Sequence, residues 1–179
     1  MVVRHPLDRL ASGYKDKLAG NNKMFEHSLG QKILRMMRPN ESEMFIKSGK
    51  GVTFQEYLTY LVKIHMTNRH FKNYQDICHP CVIQYDYISK LETYNEDANY
   101  IINNHLSGIG AEDTVSRNYT RPRARESKHV EEYDNIPSQL LHEVAAVYAK
   151  DMNMFGYSIK KQDKQVMALC GEANVADCC

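Results

Sequence analysis

Met1-Val2-Val3-Arg4-His5-Pro6-Leu7-Asp8-Arg9-Leu10-Ala11-Ser12-Gly13-Tyr14 is the stretch that decides how the rest of the chain is read. Its short apolar run predicts a buried strand that arrives at a turn. Proline then opens a helix, because its fixed φ suits the first helical position and its missing N–H would be unpaired there anyway. Leu7, Leu10, Ala11, Tyr14 and Leu18 recur at helical spacing until Gly20-Asn21-Asn22 stops the run. Arg4 therefore falls at a strand end, close to a first helical turn whose unpaired N–H groups and positive dipole end favour an anion. A guanidinium gives two parallel charge-assisted hydrogen bonds and the Ser12 hydroxyl one more, a set that suits a phosphomonoester better than a carboxylate. A plainer reading stands beside it, in which Arg4 pairs with Asp8 and Ser12 is a surface helix residue. A core strand with a charged amino group at its first residue is costly. That points either to missing upstream sequence or to an ordinary frayed terminus.

Working outward, residues 29–37 predict a short helix closed by Arg38-Pro39-Asn40. Thr53-Phe54-Gln55-Glu56 has the capping-box pattern, ahead of Tyr57, Leu58, Leu61 and Val62 on one face. Val82-Ile83-Gln84-Tyr85-Asp86-Tyr87-Ile88 is rich in β-branched and aromatic residues and predicts a strand. A second capping box, Thr93-Tyr94-Asn95-Glu96, opens a helix with Ala98, Ile101, Ile102 and Leu106 on its buried side. Residues 107–132 have no sustained apolar period and carry Arg117, Arg121, Arg123, Arg125 and Lys128, which predicts a long, exposed, basic loop that covers a nucleotide, meets a polyanion or is simply solvated. A last helix runs over 137–150. Strands alternating with helices predict an α/β layer architecture with a mainly parallel sheet, whose ligands sit at the carboxyl ends of strands.

With 179 residues, 42% of them hydrophobic, the chain suits one domain, here 1–158, followed by a loosely ordered tail over 159–179. Its 23 basic and 22 acidic side chains nearly cancel, which excludes a surface built as a whole for nucleic acid and makes any anion site local. No apolar run approaches the ~20 residues that cross a bilayer. Cys78-His79-Pro80-Cys81 suggests zinc or redox chemistry. Structural zinc takes a second close pair of ligands, and Cys170, Cys178 and Cys179 lack that spacing, so no metal is expected. A redox pair needs its first cysteine at a helix start, whereas a strand is predicted next. A structural role remains, as a disulfide or as buried thiols. Asn40-Glu41-Ser42 and Asn118-Tyr119-Thr120 are glycosylation acceptor patterns.

Arg-x-Pro-x-x-Arg-Leu-x-Ser-x-Tyr-x-x-Lys, as it stands from Arg4 to Lys17, resembles the 3′-phosphate-binding segment of Golgi carbohydrate sulfotransferases. The likeness continues in order through Val52-Thr53-Phe54-Gln55-Glu56-Tyr57-Leu58, Asn68-Arg69-His70-Phe71, Cys78-His79-Pro80-Cys81, the segment from Tyr85 to Thr93, Glu96-Asp97-Ala98-Asn99-Tyr100 and Phe155-Gly156-Tyr157. Together these blocks are similar to the chondroitin, dermatan and related glycan sulfotransferases over about Val2 to Ser158. The resemblance implies a P-loop-NTPase-like parallel sheet flanked by helices and incomplete at its N-terminus. It also implies transfer of a sulfuryl group from 3′-phosphoadenylyl sulfate (PAPS) to a hydroxyl of a glycan, a glycosaminoglycan first of all, in the Golgi lumen. Arg4 and Ser12 would hold the 3′-phosphate. Arg9 matches the motif as well, as a further ligand or as a structural ion-pair partner. The family's phosphosulfate loop and membrane anchor normally lie upstream of this segment, and neither is visible, so the resemblance implies a truncated sequence. The alternative is a non-catalytic remnant that binds nucleotide or glycan. His70 is a candidate base, although a histidine with a satisfied hydrogen bond is the more natural reading and the missing upstream part is another source of the base, which is left unassigned.

Overall fold

The computed structural model describes residues 1–64, 68–105 and 132–158. Strand β1 (Val2–Val3) pairs in parallel with β2 (Ser89–Lys90), Val2 opposite Ser89 and Val3 opposite Lys90. Helices supply the rest of the described architecture, a mixed α/β arrangement with a small parallel sheet. Helix α1 (Pro6–Lys17) starts at the proline, as its chemistry requires, with His5 at the cap accepting from the Leu7 N–H through Nδ1 at 3.3 Å. Short α2 (Lys23–Phe25) runs through a π-helical turn (Glu26–Gly30) into α3 (Gln31–Met37). The helix expected over 29–37 is thus the end of a longer one.

Helix α4 (Glu43–Ser48) ends on Gly49, whose φ of 66° is the left-handed conformation a glycine adopts without strain. Gly49 also lies so close to the π turn that a Cβ there would fall 2.0 Å from the Glu26 carbonyl oxygen. Helix α5 (Phe54–Ile64) is opened by the expected capping box: Glu56 Oε2 accepts from the Thr53 N–H at 2.8 Å, and Thr53 Oγ1 accepts from the Glu56 N–H at 3.2 Å. Arg38 adds a two-pronged pair, Nε to Oε1 at 2.6 Å and Nη2 to Oε2 at 2.9 Å. Burial alone would raise the Glu56 carboxyl, but its bonds to Arg38 and Thr53 outweigh that and hold it below the ordinary carboxylate value.

After α6 (Tyr74–Cys78) and β2 come α7 (Tyr94–His105), α8 (Ser138–Val147) and α9 (Ala149–Met154). The core gathers on α5, packed between α3 and α8: Ile33, Leu34, Tyr57, Leu58 and Val144 are fully buried, with Leu61 and Tyr148 nearly so. A second, smaller cluster of Val3, Tyr74 and Phe155 sits under β1.

Four expectations are corrected. Residues 82–88 do not form a strand; only Ser89 and Lys90 pair. His79 takes a left-handed conformation, its carbonyl accepts from the Val82 and Ile83 N–H groups, and Val82 is 85% exposed. β-Propensity measures fit to a pleated, half-buried surface, and among the described residues no neighbouring strand offers one here. The opening of α7 uses Asp97 rather than Glu96: its Oδ2 accepts from Thr93 Oγ1 at 3.0 Å and from the Lys90 N–H at 2.9 Å, which ties the helix to β2. Ala98, Ile101 and Ile102 on α7 are only half-buried. The helix expected over 137–150 breaks at Tyr148 and resumes as α9. Leu106, the basic loop up to residue 131, the acceptor pattern at Asn118 and the tail over 159–179 lie outside the described residues.

Candidate functional site

Both parallel strands end at one place, so the residues that follow them meet. Arg4, after β1, donates its backbone N–H to the Tyr74 hydroxyl oxygen at 3.0 Å. Among the described residues no carboxylate pairs with its guanidinium, and the alternative pair with Asp8 is not formed. His5 donates its N–H to Glu92 Oε1 at 2.8 Å. Because His5 Nδ1 accepts from Leu7, the ring proton sits on Nε2, which meets the Ser158 carbonyl at 3.2 Å. Tyr157 closes the corner: its hydroxyl donates to Glu92 Oε2 at 2.9 Å, its ring lies edge-on to His5 at 5.1 Å, and Lys90 Nζ stands 4.7 Å over the ring face. Burial first, then the Glu92 bond, pushes the Tyr157 phenol far up, and the Arg4 charge opposes this. The corner therefore brings the cations of Arg4 and Lys90 to the carboxyl edge of the sheet, where an anion is best received.

Ser12 is exposed on α1, six residues or about 9 Å of helix axis beyond Pro6. Its hydroxyl has no hydrogen-bond partner among the described residues. Arg9, about one turn into α1, points inward instead. Its Nη2 donates to the Lys72 carbonyl and lies 3.6 Å from Asp151 Oδ2, and its guanidinium covers the Tyr74 ring at 4.2 Å. Asp151 is fully buried and also accepts from the Tyr74 N–H through both oxygens at 2.9 Å. Burial pushes its carboxyl up, opposed by the Tyr74 and Gln75 amides and by Arg9. Of the two roles that the sequence left open for Arg9, the geometry supplies the ion pair.

His70 is exposed, edge-on to Phe25 at 5.3 Å, and Phe25 also carries Lys17 Nζ over its ring. Lys17 ends α1, about 18 Å of helix from its start, so His70 stands at the end away from Arg4. Cys78 is a free, half-buried thiol, so it is not bonded to Cys81. Among the described residues no group of three or more His, Cys, Asp or Glu is placed to hold a metal ion, and no helix is long and apolar enough to cross a membrane. A cavity of about 520 Å³ opens beside Leu61, Phe71, Asn73 and Val147, and none of Arg4, Arg9 or Ser12 lines it.

Tyr74, Asp151 and Lys90 were not anticipated. Asp151 had a signal: Val144, Tyr148, Asp151, Met152 and Phe155 follow helical spacing, and an acid within an apolar stripe calls for a buried cation. Tyr74 had none, because its partner Arg4 lies 70 positions away.

The strand-to-helix corner, the capped helix α5 and Tyr157 all lie within residues 1–158, which a sulfotransferase family profile matches: the chain belongs to the sulfotransferase family. It is similar to carbohydrate sulfotransferase 11 of Rattus norvegicus, 32% identical over 165 residues that cover 89% of this chain and 46% of that protein. Carbohydrate sulfotransferase 8 of Homo sapiens is 32% identical over 88% of this chain and 38% of its own length. For carbohydrate sulfotransferase 14 of Danio rerio the figures are 32%, 89% and 43%. The chain thus spans less than half the length of these curated relatives. No solved structure matches it.

Proposed function

We propose that the protein is a carbohydrate O-sulfotransferase that takes its sulfuryl group from PAPS and that the corner after β1 receives the donor's 3′-phosphate. The observation that carries this is the Arg4 guanidinium, held at the carboxyl edge of a parallel sheet with no carboxylate partner among the described residues, inside a chain of the sulfotransferase family. Arg4 supplies the two-pronged contact and Ser12 a hydroxyl. Arg9 acts behind them, through its pair with Asp151. The architecture is read as the carboxyl-edge site of a P-loop-like sheet, and the acceptor as an anionic glycan handled in the Golgi lumen; the names of the relatives support a carbohydrate acceptor.

In the reaction the acceptor hydroxyl oxygen bonds to sulfur as the bond from sulfur to the bridging phosphate oxygen breaks. The electron pair leaves with the 5′-phosphate, and the hydroxyl proton passes to a base. The contribution of Arg4 and Ser12 is positioning: the 3′-phosphate takes no part in bond making, so gripping it fixes the distance and line of attack. The test is a PAPS-dependent transfer assay on the whole product of the reading frame, against a panel of desulfated glycans. Transfer of labelled sulfate to one glycan class, lost in Arg4→Ala, is expected. Transfer that is absent with every acceptor, together with no binding of adenosine 3′,5′-bisphosphate, overturns the reading.

A further inference from the structure

We infer that Tyr74 is a positioning residue for the donor's 3′-phosphate, acting through the backbone of Arg4; this rests on the assignment of that phosphate to the Arg4 corner. Strand β1 ends at Val3, so the Arg4 N–H has no ladder partner, and the Tyr74 hydroxyl oxygen takes it at 3.0 Å. The phenol comes from an element 70 residues away and is itself held on every side. Its ring face lies under the Arg9 guanidinium at 4.2 Å, and its edge meets Phe155 at 5.6 Å and 86°. Its backbone N–H is gripped by both oxygens of Asp151. One tyrosine therefore restrains both arginines of the motif, Arg9 by its ring and Arg4 by its oxygen.

The consequence for binding is physical. An arginine whose backbone is loose must be ordered when a phosphate arrives, and that ordering lowers affinity. Tyr74 orders it beforehand. It does so without taking up the guanidinium, because the bond is to the main chain and the side chain stays available to the ligand. Asp151, in the last described helix, anchors the tyrosine in turn, which links the C-terminal part of the described chain to a phosphate site at its start.

Tyr74→Phe tests this, since it removes the oxygen while keeping the ring beneath Arg9 and the bonds to Asp151. Calorimetry compares adenosine 3′,5′-bisphosphate with adenosine 5′-phosphate. The bisphosphate is expected to bind about fivefold more weakly, the effect of one hydrogen bond, and the monophosphate with unchanged affinity. In an Arg4→Ala background, Tyr74→Phe is expected to add nothing. An equal loss for both nucleotides, or no loss for either, overturns the inference while leaving the phosphate assignment intact. If Arg4→Ala itself leaves bisphosphate affinity unchanged, the assignment falls and the inference with it. A readout that needs no nucleotide is hydrogen exchange at the Arg4 amide, expected to quicken in Tyr74→Phe; an unchanged rate counts against the proposal.

Discussion

Replacing Asp151 by alanine puts the interior of the site under the most direct strain. The carboxylate is wholly buried, accepts from the Tyr74 N–H with both oxygens at 2.9 Å and from the Gln75 N–H at 3.4 Å, and lies 3.6 Å from the Arg9 guanidinium. Removing one side of a buried pair costs about 3–5 kcal/mol, because a charge is left in a poorly solvated place. Amides that lose their acceptor add about 1–3 kcal/mol each when nothing replaces it. These losses overlap, since Arg9 keeps the Lys72 carbonyl and the Tyr74 ring and the vacated space is polar enough for water. The net expectation is about 3–4 kcal/mol, a large part of the ~5–15 kcal/mol of a typical domain. Urea unfolding followed by circular dichroism reads it: with a slope of about 1.5–2 kcal/mol per molar, the midpoint falls by roughly 2 M. Adding Arg9→Met to the Asp151→Ala variant should recover part of the loss by removing the stranded cation. A deficit under about 1 kcal/mol with an unchanged slope, or no recovery on adding Arg9→Met, refutes the argument.

Arg4→Ala is expected to weaken adenosine 3′,5′-bisphosphate by about 2 kcal/mol and Ser12→Ala by about 1 kcal/mol, both read by calorimetry. Glu56→Gln tests the α5 cap through pH. Because the folded carboxyl lies below its ordinary value, its contribution is whole above the unfolded value and is lost as pH falls through the folded one. The deficit of the variant in thermal melts should therefore shrink between about pH 5 and pH 3. Gly49→Ala is expected to destabilise by more than about 2 kcal/mol, since the left-handed φ and the approach to the Glu26 carbonyl both oppose a Cβ; a melt within experimental error of the parent's would contradict this.

Much of the fold could be read where the signal was local. Pro6, the Thr53–Glu56 box and the apolar stripes of α1, α5 and α8 each act within a turn or two, and all appear where expected. The failures came where a long-range partner decides. Residues 82–88 carry strand chemistry but find no strand to pair with among the described residues, and Asp97 displaced Glu96 because β2 lay within its reach. The same division holds at the site. Arg4 and Ser12 stood out through a motif, and Arg9 was flagged either as a further ligand or as a structural ion-pair partner. The tyrosine and aspartate that hold Arg4 and Arg9 belong to segments whose approach only the folded chain defines.

The corner joins both ends of the described chain: His5 meets the Ser158 carbonyl across 153 positions, and β1 waits for β2 near residue 89. On a ribosome that adds about 5–20 residues per second, the Arg4 segment emerges on the order of ten seconds before its closing partners exist. If the corner receives the donor's 3′-phosphate as proposed, nucleotide binding by a growing chain would begin only once Tyr157 has left the exit tunnel, so ligand capture would report that synthesis has run through to the last described helix.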